Sequence, residues 1–473
     1  MKLDIKLATA TLVVLALGCG PDQPTNTFTP NMARNAAEQN IGINVLLSGP
    51  ATDAQLAELG TFGNVTGRIL EINALFMHAS ASALPAIQAL PYVLAANPDA
   101  ERQGAPVDAV AATNFTNGLN TWNLDAINVT NLIPGPDRTM TFTGEGVYIG
   151  VLDTGLLDSW RQYFPQERIA EQYGLSFEGR SGNSNAEPPN KWEHDQNSHG
   201  THVTSTILGF SLLGTPINGV APRATVIPVK VLNQAGFGWS SVIARGIVYI
   251  ADLKAGPLQD HPMVINMSLA GGALDAVERE AINYAIARGV IVVAAAGNAG
   301  NAGMGFPGAY APVISAAASG WVGEWTPVGN GGWWFNRDVP EVSSTYADNF
   351  YIASFSGRAR PGQDLDVAAP GSWVVGPFQL NSSSVQRSFF FLGGTSMASP
   401  HVAGIVALMA QKNPSLTGPQ VEGILEATAI PLPAGSRTIR NPGGSTSTVS
   451  WGANATGAGL ATADAAVAGT PAP

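Results

Sequence analysis

Residues 147–155 read Val-Tyr-Ile-Gly-Val-Leu-Asp-Thr-Gly, a short apolar run that stops on an acid, a hydroxyl and a glycine. An apolar stretch of this length, without helical or two-residue alternation, predicts a strand buried on both faces. Val226–Leu232, Val264–Leu269, Val290–Ala296 and Val313–Ala317 repeat the pattern. Between them lie helical stretches such as Ser241–Lys254 and Ala276–Arg288, the second closed by Gly289. Strands buried on both faces and separated by helices predict an α/β fold, a parallel β-sheet covered by helices on each side.

Three of these runs end in polar residues: Asp153-Thr154-Gly155, Asn266 with Ser268-Leu269, and Gly297-Asn298. Ligands bind beyond the carboxyl ends of strands in such sheets, so the three sets are expected in one crevice. Two further stretches put reactive side chains at helix starts: His199-Gly200-Thr201-His202, and Gly393-Gly394-Thr395-Ser396-Met397-Ala398-Ser399-Pro400-His401 before the apolar run Val402–Ala410. A serine hydroxyl is a weak nucleophile. It needs a base within hydrogen-bond reach, and the base needs a carboxylate to fix its tautomer. Ser396, His199 and Asp153 supply those groups, and Asn298 offers an amide for a developing oxyanion. Helix N-terminal amides at Ser396 would serve the same end, and Gly393 and Gly394 let backbone approach closely.

The strings VLDTG at 151–155, HGTHV at 199–203, AAAGN at 294–298 and GTSMASPHVAG at 394–404 resemble those of the subtilisin family of serine peptidases. GVAP at 219–222, DVAAPG at 366–371 and GAGLATADAAVAG at 457–469 fit as well, so the resemblance covers about residues 120–470. It implies a subtilisin-like catalytic domain over 121–473. In that domain Asp153, His199 and Ser396 form the triad, Asn298 is the oxyanion donor, and protein or peptide substrates are cut through an acyl-enzyme. Ser268, Leu269, Ala270 and Gly271, with Gly297 and Gly305, would line the pocket for the residue before the scissile bond. Small residues and no carboxylate there imply a preference for large uncharged side chains. No cofactor is implied for the chemistry. Structural calcium has little support, since the loop Phe210–Ile217 keeps few oxygen side chains, and Asp195-Gln196-Asn197 reads as a solvated loop. Ser198 replaces the usual glycine before His199, Thr204 and Ser205 follow HGTHV in place of Ala-Gly, and Ala270 replaces a common glycine.

Ahead of this domain, an apolar run Ile43–Leu47, a helix Asp53–Leu59, a strand Arg68–Phe76, a helix Ala81–Leu90 and a run Tyr92–Leu94 predict a small α+β unit. Its closing part, GRILEINALFMHASASALPAIQALPYVLAANPDAE, resembles the family's inhibitory propeptide. The resemblance implies a ferredoxin-like prodomain over 41–105 that inhibits its own enzyme, with a processing region at 106–120 and the cut between Gln103 and Asn120. Lys2 and Lys6 flank an apolar run from Leu7 to Leu17 before Gly18-Cys19-Gly20, an export signal over 1–19. Cys19 resembles a lipoprotein attachment site and is the only cysteine, so disulfides are excluded. Residues 20–40 read as a polar linker.

A net charge of −11 and no basic run longer than two residues exclude a nucleic-acid surface; a membrane is met only through a lipid on Cys19. A monomer is expected, exported to the medium or the cell envelope. Tyr173–Gln196 and Gly320–Phe350 read as surface insertions, the second carrying Trp321, Trp325, Trp333 and Trp334. Two rivals stay open: an inactive scaffold of the same fold, and a processing protease of narrow specificity. His78, His194, His202, His261 and His401 are read as structural.

Overall fold

The computed structural model describes residues 39–112, 121–131, 137–325, 339–340, 347–380 and 388–473. The export signal with Cys19, all but the end of the linker, residues 113–120 of the processing region, and Trp333 and Trp334 lie outside the described residues.

Thr52 opens the first helix with a capping box, its hydroxyl accepting from Gln55 N while Gln55 Oε1 accepts from Thr52 N. Around it the N-terminal unit folds as β1 (Asn40–Leu47), α1 (Asp53–Phe62), β2 (Gly63–Ile69), β3 (Ala74–Ser80), α2 (Leu84–Gln88) and β4 (Val93–Pro98). The strands form one antiparallel sheet in the order β2-β3-β1-β4, a ferredoxin-like arrangement. The strand expected over Arg68–Phe76 is two strands: Asn73 takes a left-handed φ of 51° after a tight turn at Leu70–Ile72 and reverses the chain. The helix expected over Ala81–Leu90 is shorter. A 3₁₀ turn at Ala81–Ala83 precedes α2, with Pro85 in its first turn.

Two short strands follow, β5 (Glu101–Gln103) and β6 (Asp108–Ala111), and then the main body: β7 (Tyr148–Asp153), α3 (His199–Leu208), β8 (Thr225–Lys230), β9 (Phe237–Trp239), α4 (Ser240–Ala255), β10 (Met263–Met267), α5 (Ala276–Ala287), β11 (Val290–Ala295), β12 (Ile314–Trp321), β13 (Phe350–Ile352), β14 (Val367–Pro370), β15 (Val374–Pro377), β16 (Phe389–Gly393) and α6 (Thr395–Lys412). Parallel pairing in the order β8-β7-β10-β11-β12 makes the central sheet, with β14 parallel to β12 and β13 antiparallel to it.

The two-residue period of each strand sends side chains to two cores. Ile149, Val151, Val226, Val264, Ile291 and Val293 face α3 and α6, whereas Leu152, Ile227, Val229, Ile265, Val290 and Val292 face α4 and α5. The long helix α6 is buried from Thr395 to Ala410, as its all-round apolar sequence requires. Leu46, Ile69, Ile72 and Phe76 of the N-terminal unit join the core of α4 and α5, while Ile43, Val45, Leu47, Leu75 and Met77 pack on its own helices.

Tyr173–Gln196 is not simply a surface insertion. Leu175–Ser176 adds an edge strand parallel to β8, and Phe177, Trp192 and Asp195 are buried. In the second insertion Trp321 is buried and the Trp325 ring meets Trp373 and Phe391 at 5.3 and 5.5 Å, so these two clamp the loop to the body. Phe210–Leu212 and Thr215–Ile217 close as a hairpin, with Leu213 at φ 50° and Gly214 at φ 99°.

Candidate active site

Asp153 is the last residue of β7 and His199 the first of α3, and the sheet brings them together from 46 positions apart. Asp153 Oδ1 lies 2.8 Å and Oδ2 3.0 Å from His199 Nδ1. A carboxylate only accepts, so Nδ1 carries the proton and Nε2 is left as the basic nitrogen. Both residues are fully buried, and Thr154 N also donates to Asp153 Oδ1 at 2.7 Å.

Ser396 stands in the first turn of α6, two residues after Gly394, with its Oγ donating to Ser268 O at 3.1 Å. Among the described residues His199 Nε2 has no hydrogen-bond partner. Asn298 is held by its carbonyl end: Oδ1 accepts from Thr395 N at 2.9 Å and Thr395 Oγ1 at 2.8 Å. That fixes the amide's orientation and leaves Nδ2 as the free donor end, on the side of Gly394.

The expected pocket residues also converge. Ser268 Oγ donates to Ser396 O at 2.8 Å, and Gly271 exchanges backbone hydrogen bonds with Phe306. Ala270, Gly297 and Gly305 stand so close that a Cβ on Gly305 would lie 2.8 Å from that of Ala270.

A supporting layer lies behind these groups. Asn266 joins Ser268 and Ser399 at 3.0 and 2.6 Å, tying the end of β10 to α6. Asp195, expected in a solvated loop, is buried. It accepts from Thr154 Oγ1 and Ser198 N at 2.7 Å each and so holds the turn that leads into α3. Its backbone lies beside Leu157, with which it forms a bridge, and this contact closes the loop over the turn after β7. Lys230 Nζ lies 4.0 Å from Asp195 Oδ1 and donates to Thr154 O and Leu232 O at 2.6 and 2.9 Å. Burial pushes the Asp195 carboxyl up and the Lys230 ammonium down. Ser198 takes φ 72°, where glycine is easier, and its hydroxyl accepts from Gln379 N at 2.9 Å. The buried imidazoles of His202 and His401 are pushed down by burial to about 3 and about 4 and stay neutral.

The chain's own residues 101–104 run through this cleft. β5 pairs antiparallel with β9, Gln103 and Ala270 exchange both backbone hydrogen bonds at 2.9 Å, and Gly104 N donates to Gly236 O at 2.9 Å. A Cβ on Gly104 would stand 3.3 Å from His199 Cε1 and 2.9 Å from Ser268 O. The next anchor is Val107, whose N donates to Gly393 O at 2.7 Å before β6 pairs with β16.

Residues 144–459 match the model of the subtilase family, Peptidase_S8. The chain belongs to the subtilase family. It is similar to subtilisin DY of Bacillus licheniformis, 34% identical over 296 residues, 62% of this chain and 86% of that protein. Thermitase of Thermoactinomyces vulgaris is 31% identical over 297 residues, 63% of this chain and 86% of thermitase. Among solved structures, fervidolysin of Fervidobacterium pennivorans, a keratinolytic enzyme related to subtilisin, superposes with a TM-score of 0.64. At 22% identity over 93% of this chain and 62% of fervidolysin, that likeness shows the fold. As a subtilase the protein is a serine endopeptidase, with the parallel sheet and flanking helices of that family. No helix among the described residues is long and apolar enough to cross a membrane.

Proposed function

We propose that this subtilase is made as a precursor, cuts its own chain between Gly104 and Val107, and then hydrolyses proteins through an acyl-enzyme on Ser396. The observation that carries this reading is the strand at 101–104, which lies in the cleft as a substrate would, pairing with β9 and Ala270. Ala105 and Pro106 span the gap between Gly104, beside His199, and Val107, beside Gly393.

In the reaction Ser396 Oγ attacks the carbonyl carbon as its proton passes to His199 Nε2. Asp153 holds Nδ1–H and stabilises the imidazolium. The oxyanion takes hydrogen bonds from Asn298 Nδ2 and the amides at the start of α6. His199 then protonates the leaving amine, and water repeats the sequence on the acyl-enzyme. The pocket at Ser268–Gly271, Gly297 and Gly305 carries no carboxylate, which supports a preference for uncharged residues before the scissile bond.

Residues 41–105 act as the inhibitory domain, and their docking on α4 and α5 supports this. Lys2, Lys6 and the run 7–17 direct export, and a lipid on Cys19 would tether the precursor until the cut. A fluorophosphonate probe tests the nucleophile. Labelling is expected on the peptide containing Ser396 and absent from Ser396→Ala; labelling of another serine would contradict the assignment.

A further inference from the structure

Among the described residues Arg102 is the largest fully buried charged side chain, and it enters from the strand that occupies the cleft. Its guanidinium is fully buried against the carboxylate of Glu278 in α5, itself fully buried. Nε lies 3.1 and 3.2 Å from Glu278 Oε1 and Oε2, Nη2 makes a short contact to Oε2, and Nη2 also donates to Ala273 O at 2.8 Å. This is a two-pronged, planar recognition that a guanidinium makes and an ammonium cannot.

The passage is shaped for that side chain. A Cβ on Gly271 would stand 2.7 Å from Arg102 Nη1 and 3.1 Å from its Cδ, so the missing side chain at 271 leaves the lane open. Burial pushes the Glu278 carboxyl up, and the charge of Arg102 is the main pull the other way.

We infer that Glu278, reached past Gly271, is the floor of a subsite selecting arginine in substrates, at the residue immediately before the one whose backbone pairs with Ala270. Resting on the proposed peptidase reading, this adds a position of narrow selectivity to an otherwise uncharged pocket. When residues 101–104 leave, Glu278 is a carboxylate sunk below the cleft floor with its cation gone. A substrate arginine restores the pair; leucine at that position buries the carboxylate with no partner.

The test uses quenched-fluorescent peptides with residues 98–109 of this chain and Arg, Lys, Gln or Leu at position 102, alongside casein, on the processed wild-type enzyme. The arginine peptide is expected to have a kcat/KM about 30-fold or more above the leucine peptide, with lysine between. In an Arg102→Leu/Glu278→Leu precursor, which carries no stranded charge through maturation, that ratio should fall below one. Casein cleavage with equal rates across the wild-type panel would overturn the subsite and leave the catalytic reading standing. Absence of casein cleavage would overturn both.

Discussion

Asp99 Oδ1 lies 3.1 Å from Ser241 N, so a side chain of the N-terminal unit caps α4 of the catalytic body. Trp239, the residue that precedes α4, offers no side-chain cap of its own, and Asp99 Oδ2 also accepts from Ser241 Oγ at 2.7 Å and Gly182 N at 2.9 Å. Asp275, which caps α5, closes the same cluster by accepting from Asn44 Nδ2 at 2.7 Å. The body's two outer helices thus share their N-terminal polar groups with the segment proposed to be removed.

Replacing Asp99 by Ala in an uncut Ser396→Ala precursor leaves Ser241 N and Gly182 N buried without acceptors. Thermal unfolding should show a loss of about 2 to 3 kcal/mol, the cost of losing hydrogen bonds to a charged group. An unchanged melting temperature would mean the cap is dispensable.

Asn298→Ala should lower kcat by about 100- to 1,000-fold with KM nearly unchanged, because in the proposed mechanism the amide meets charge only in the transition state. A drop confined to KM would place Asn298 in ground-state binding.

Asp195 touches no expected substrate atom, yet it fixes Thr154 beside Asp153 and the first turn of α3 beside His199. Asp195→Asn is expected to lower kcat by about 100-fold through misplacement of the pair while KM for casein stays within a few-fold. Equal losses in kcat and folded fraction would reduce it to a stability residue.

Glu324 is buried against Tyr351 and Ser372, and burial pushes its carboxyl up to about 8. A raised folded-state value means stability present below the unfolded pKa and lost as pH rises to about 8, by up to about 1.4 kcal/mol per pH unit. In the Ser396→Ala background, Glu324→Gln should flatten the fall in denaturant stability between about pH 5 and 8. Parallel profiles would show that Glu324 is already ionised when folded.

The strands of the body were legible because each is apolar on both faces, and the observed bounds of β7, β8, β10 and β11 fall within a few residues of the expected ones. The reversal at Asn73 was not, since Arg68–Phe76 reads as one strand and only the left-handed backbone of an asparagine breaks it. Asp195 was misread as solvated because its burial is decided by Thr154 and Lys230, which tertiary packing alone brings near. Arg102 and Glu278 are likewise 176 positions apart, and no local pattern announces a pair made by threading one segment through a cleft. The side chains proposed to react were visible because each lies near the end of a strand or the start of a helix, where short motifs hold them.

The most direct test is the intact mass of wild type and Ser396→Ala, both expressed without residues 1–19. Wild type is expected to lose its N-terminal segment through a bond between Gly104 and Val107, while Ser396→Ala stays full length. If both remain intact, or both are trimmed to the same mass, Ser396 is not the nucleophile that processes this chain.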